Sequence, residues 1–169
     1  MSAADALSAD RAGELERAAS RYEELLAGGV ADLDTLLNLA MLYWQATDPG
    51  MAASQKLPPE FLARAGKRVP ELLAEAELRF PARTEPRFWR RYTAWADLGE
   101  PFDVAECQEL LREDPGSLVP AMHIFAVSQG KDAEPLAREL LRRCHADGTT
   151  LSRYVASVIE GVLRRSALR

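Results

Sequence analysis

Chain breakers recur at a near-constant interval through the second half of this sequence, and that recurrence constrains the fold more than any single motif. Pro81 and Pro115 stand 34 residues apart, Asp114 and Asp147 stand 33 apart, and Gly99 and Gly130 stand 31 apart. A unit of this length accommodates two short helices and their turns, and stacked units of that kind form helical solenoids. The segments between the breakers are helix formers. Ala and Leu together number 52, against 10 for Val plus Ile. Ala and Leu lose little on entering a helix, whereas β-branched side chains lose rotamer freedom. Extended β structure is therefore excluded as the main architecture. With 169 residues the chain suits one domain and can bury a core without disulfides or metals.

Hydrophobic periodicity and punctuation place about eight helices. Asp10 is positioned to cap a helix over 11–27 that Gly28-Gly29 ends. Asp32 or Asp34 opens a second helix reaching 46, apolar on nearly every side from Leu33 to Trp44. Such a helix is either central or presents a binding stripe. Residues 47–57 read as a loop with an Asp48-Pro49-Gly50 turn. Pro58-Pro59 starts a third helix with a stripe of Phe61, Ala65, Val69, Leu72, Ala76 and Phe80. Pro70 interrupts it and predicts a kink or split near 66–70. Shorter helices follow over 86–98, 103–113, 117–129 with Ser117 as cap, 132–146 and 150–165. Residues 1–9 are expected to form a flexible N-terminus, and 10–169 a single helical-repeat domain.

The formal net charge of −5 argues against a protein that coats nucleic acid. The charge is uneven. Residues 1–60 carry 10 acids and 4 bases, and residues 117–169 carry 5 and 8. Cys107 and Cys144 lack metal-ligand or CxxC spacing and are expected to be small buried thiols in a reducing compartment. The opening MSAADALSAD has no basic segment followed by an apolar run, and no stretch of 18 apolar residues occurs. A cytoplasmic protein without membrane insertion is the expectation.

Catalytic patterns are missing from the sequence. Gly66-Lys67 lacks the rest of a phosphate loop, and there is no GxSxG, HExxH or GxGxxG. His123 lies among apolar helix positions and is expected to be structural, while His145 stands in the last turn of its helix. No catalytic, metal-binding or cofactor-binding residue is assigned, and no cofactor is expected. The segment RTEPRFWRRYTAW, residues 83–95, interleaves Arg83, Arg87, Arg90 and Arg91 with Phe88, Trp89, Tyr92 and Trp95. Arginine and aromatic side chains dominate binding hot spots. They also divide naturally into an inward aromatic set and an outward basic set paired with Glu85 and Asp97.

Leu36, Leu39, Ala40 and Tyr43 occupy the large, large, small and aromatic positions of a familiar helix pattern, and Trp89, Tyr92, Thr93 and Ala96 repeat its spacing. On these residues, and on the 81–148 units, the chain resembles the tetratricopeptide-repeat family over roughly 11–165. The loop at 47–57 and the long third helix depart from the family's 34-residue register. The resemblance implies an all-α, right-handed solenoid of antiparallel helix hairpins. It also implies a concave groove lined by the first helix of each hairpin. That groove would present Leu37, Met41 and Trp44, then Arg87, Arg90 and Ala94, then Pro120, Ile124 and Val127. The Leu37 and Met41 positions lack the Lys-Asn pair of the family's carboxylate clamp, so that activity does not carry over.

The expected function is a non-enzymatic interaction module. It would bind a peptide or helix of another protein in an apolar groove with a basic step. The partner-binding residues would be Leu37, Met41, Trp44, Arg87, Arg90, Ile124 and Val127. The alternative is a small dedicated chaperone or immunity-type partner of a secreted or toxic protein.

Overall fold

The computed structural model describes residues 2–168. Among them are ten helices and no strand: α1 (Ala3–Arg11), α2 (Leu15–Ala27), α3 (Leu33–Ala46), α4 (Pro49–Gln55), α5 (Pro59–Arg79), α6 (Glu85–Leu98), α7 (Val104–Glu113), α8 (Val119–Val127), α9 (Glu134–Asp147) and α10 (Thr150–Ala167). Their contacts divide the chain into two compact units. Residues 1–80 with 149–151 form the first, and residues 81–148 with 152–169 form the second.

The first unit is built around α3. Leu36, Leu37, Leu39, Ala40, Met41, Leu42 and Tyr43 point in successive directions around the axis and are all buried. The helix packs on α2 and α5. Phe61 of α5 meets the Tyr43 ring at 5.6 Å. A charged clasp closes over this contact. Glu23 accepts from the Tyr43 hydroxyl at 3.1 Å and from Arg68 at 3.0 and 3.1 Å. Burial and the Glu23 charge together push the Tyr43 phenol up to about 12.

Three parts of this unit differ from the sequence expectation. First, α1 occupies most of the stretch expected to be flexible, and Ala6, Ala9 and Asp10 are buried in it. Second, α4 forms inside the expected loop. Asp48 caps it by accepting from Met51 N–H at 2.9 Å, and Pro49 sits in its first turn, where the missing N–H costs nothing. Third, α5 runs unbroken through Pro70. Both Pro70 and Gly66 are exposed, so water can bond the carbonyl the proline leaves free. Val69, Leu72 and Leu73 beside it remain buried.

Asp10 does cap a helix, but a distant one. Its carboxylate is fully buried and accepts from Thr150 N–H at 2.7 Å, from Thr150 Oγ1 at 2.6 Å and from the Tyr22 hydroxyl at 2.9 Å. A negative charge at the first N–H of α10 suits the positive end of the helix dipole.

The second unit centres on α8, where Val119 through Phe125 are all buried. Ser117 does not cap it. Leu118 takes the cap position, and the Ser117 hydroxyl is buried with no partner. Gly130, at φ 87°, closes the turn after α8. A Cβ there would stand 2.7 Å from Ser166 Oγ and 3.3 Å from Val162 Cγ1 of α10, so a larger residue must push the Ser166 hydroxyl aside and would be strained at this φ.

Replacing Asp10 with Ala is expected to lower the unfolding free energy by about 3 kcal/mol, because three buried donors lose their acceptor together. Asp10→Asn keeps one acceptor oxygen and should cost less. Urea unfolding followed by circular dichroism measures both, and a loss below about 1 kcal/mol for Asp10→Ala would show that this carboxylate is not an anchor.

Candidate functional site

Three arginines in and just before α6 are already paired. Arg83 donates to Asp114 at 2.9 Å and to Glu85 at 3.3 Å. Arg87 pairs with Glu113. Arg91 forks onto Glu106 at 2.7 and 3.1 Å and reaches Glu100 at 3.3 Å. Arg87 and Arg91 stand one turn apart on α6, and Arg83 in the turn before it continues the row, opposite the acids of α7 and its flanks. Burial tends to raise the Asp114 carboxyl, but hydrogen bonds from Arg83, Thr84 N–H and Gly116 N–H outweigh it and hold the group below the usual range.

The other side of α6 is an aromatic cluster. Phe88, Trp89 and Tyr92 are buried and pack within 5.1–5.5 Å of one another. The Tyr92 and Tyr154 hydroxyls share a 2.7 Å hydrogen bond. His123 of α8 sits at the open end of the cluster. Its ring lies 4.7 Å from Phe102, 4.8 Å from Trp95 and 5.7 Å from Tyr92, and its Nε2 is 3.0 Å from the Phe102 carbonyl oxygen. Trp95 forms the rim and is 38% exposed, with Leu98 one turn further on 74% exposed.

These positions revise the expected binding set. Leu37, Met41 and Ile124 are 4%, 0% and 3% exposed, so they belong to the core and offer a partner no surface. The wide apolar surface of α3 is enclosed by neighbours rather than left open. Trp44 is half-buried. Arg87 is half-exposed, with its charge balanced by Glu113, and Arg90 is exposed. Val127 is 45% exposed at the end of α8. Leu37, Met41 and Trp44 lie in the first unit, and Arg87, Arg90, Ile124 and Val127 in the second. Trp95 and Leu98 were absent from the expected set. The signal for them was present, because both extend the 87–91 stripe by successive helical steps, past the reach of the acids on α7.

The cysteines are small core fillers. Cys107 and Cys144 are buried free thiols. Burial pushes Cys107 up to about 12, helped by Glu106 and Asp103. Burial likewise pushes Cys144 up to about 11. Both are protonated at neutral pH and are not nucleophiles. Among the described residues, no group of three or more His, Cys, Asp or Glu is placed to hold a metal ion. No described helix is long and apolar enough to cross a membrane. The chain matches no protein-family model, no curated protein and no solved structure.

Core and rim can be separated by mutation. Leu37→Ala, Met41→Ala and Ile124→Ala should each lower stability by about 2–5 kcal/mol, through lost burial and a residual cavity. Leu98→Ala should stay within about 0.5 kcal/mol. Chemical denaturation of the four variants tests the division, and equal losses at positions 41 and 98 would refute it.

Proposed function

We propose that the protein is a non-enzymatic, cytoplasmic interaction module of the tetratricopeptide-like helical kind, and that it holds a peptide or helix of another protein. The supporting observation is the half-exposed Trp95 at the rim of a packed aromatic cluster, with exposed Leu98 beside it. A tryptophan already fixed by its neighbours gives a large contact area with little ordering left to lose on binding. The arginine pairs leave a nearly charge-balanced flank along α6, so the anchor is apolar rather than basic. This replaces the groove expected from residues 37, 41 and 124.

A photo-crosslinking residue at position 98 should capture a discrete partner in cells, and the same residue at exposed Glu109 should not. With the captured partner purified, Trp95→Ala should weaken binding at least about tenfold while leaving the helical circular dichroism signal intact. Unchanged affinity for folded Trp95→Ala would overturn the proposal. Several assembly components as partners would mark an adaptor, and a single secreted or toxic protein a dedicated chaperone or immunity-type role.

A further inference from the structure

We infer that His123 is an acid-sensitive latch that holds the α6–α7 loop closed at neutral pH and releases it on acidification. The inference is independent of the interaction reading and rests on how the imidazole is enclosed. Its Nε2 faces the Phe102 carbonyl oxygen at 3.0 Å, an acceptor, so Nε2 carries the proton and Nδ1 is a bare lone pair. The residue is 1% exposed, and Nδ1 is buried with no hydrogen-bond partner. Phe102 stacks on one face of the ring, and Trp95 and Tyr92 meet it at steep angles.

A second proton would sit on Nδ1. It would find no acceptor there, and the surroundings provide no free anion. On α6, Arg91 places its guanidinium 5.7 Å from the Phe102 ring centroid, bringing a positive charge to the same side chain that stacks on His123. Glu100 of the loop and Glu106 of α7 are both engaged by that arginine. Asp103 caps α7 by accepting from Glu106 N–H at 2.8 Å. The Tyr92 and Tyr154 hydroxyls bond each other, and Cys107 of α7 is a buried protonated thiol. Nothing else on α8 titrates, and Asp97 near the end of α6 is itself engaged. On α9, which packs on α8, Glu134, Glu139 and Asp147 each have a partner and Cys144 is a protonated thiol. Burying an unpaired cation is costly, so the closed loop rejects the proton and the open loop accepts it. Desolvation accordingly holds the ring below the ordinary histidine range, although the Phe102 bond works against it.

The sign follows from linkage. Closure is fully favoured above the free-histidine value near 6.5 and weakens as pH falls below it. The loop is the element that would respond, held besides His123 by Arg91, which donates to Glu100 at 3.3 Å and to the Pro101 carbonyl at 2.5 Å. Residues 99–103 have no regular structure, and Phe102 is their only buried side chain. Opening would bring Phe102 and the covered faces of Trp95 and His123 into water.

Hydrogen exchange of the Glu106 and Cys107 amides, which donate to the Asp103 carboxylate and carbonyl at the end of the loop, tests the latch once corrected for the intrinsic effect of pH. Wild-type protein should open up to about tenfold more often at pH 5.5 than at pH 7.5, because an opened ring with the free value near 6.5 takes up a proton that the closed ring refuses. His123→Gln offers an amide donor to Phe102 but cannot take a charge, and it should respond less than twofold. His145→Gln should respond like the wild type. A pH-independent wild-type loop, or a His123→Gln loop that opens with acid as the wild type does, overturns the inference. Should His123→Gln fail to fold, NMR titration of the wild-type imidazole decides. The ring must protonate together with loop opening, and a ring that titrates while the Glu106 and Cys107 amides stay protected refutes the latch.

Discussion

A helix that is apolar on every side cannot rest on a surface; it must be enclosed. Each unit has one such helix, α3 in the first and α8 in the second, and the remaining elements are arranged to cover it. Hydrophobic burial is non-directional, so it accounts for coverage but not for which helix lies where. Spacing supplies that. Small residues such as Ala40 and Ala65, both fully buried, let backbones approach, while Phe61 and Tyr43 fill the space beside them.

Buried polar groups then fix the geometry that burial alone leaves open. Asp10 binds the start of α10 and the Tyr22 hydroxyl at once, and Glu23 binds Tyr43 and Arg68. A carboxylate removed from water, as Asp10 is, is stable only when its lone pairs are filled, so that site tolerates one arrangement of its neighbours, while Glu23, its side chain 31% exposed, is bound less strictly. The cost of disturbing such a group comes from the donors left behind, which is why a polar anchor contributes more to uniqueness than to net stability.

How much of this was readable in the sequence varied with the kind of signal. Helices with an apolar stripe and a hard stop were placed within a few residues, as with α6 ending at Gly99 in the left-handed conformation and α7 capped by Asp103. Helices without a stripe were missed. No residue of α4 is buried, so its Asp48-Pro49 start was the sole sign of it, and that dipeptide also marks a turn. The inward side of α1 is mostly alanine, which periodicity hardly distinguishes from a polar arm. Asp10 was recognised as a capping residue but assigned to the adjacent helix, because a partner 140 positions away leaves no local trace. The binding positions suffered most. A wide apolar surface on α3 has two meanings, and only the packing of α2 and α5 decides for enclosure.

The arginine stripe of α6 shows why composition alone misleads about partners. Four arginines within nine residues suggest a basic surface, yet Arg83, Arg87 and Arg91 each face an acid across the turn to α7. Pairs this exposed contribute little to stability, about 0–1 kcal/mol each. Their effect is to cancel a field that would otherwise attract anions over a Debye length of roughly 8 Å. Leu98 lies beyond the last of these pairs at the Gly99 cap, and Trp95 meets the rings of Tyr92 and His123. The charged part of the stripe therefore faces the acids of α7 and its flanks, and its uncharged end presents the apolar rim. Local pairing rather than net charge determines what this face offers to solvent.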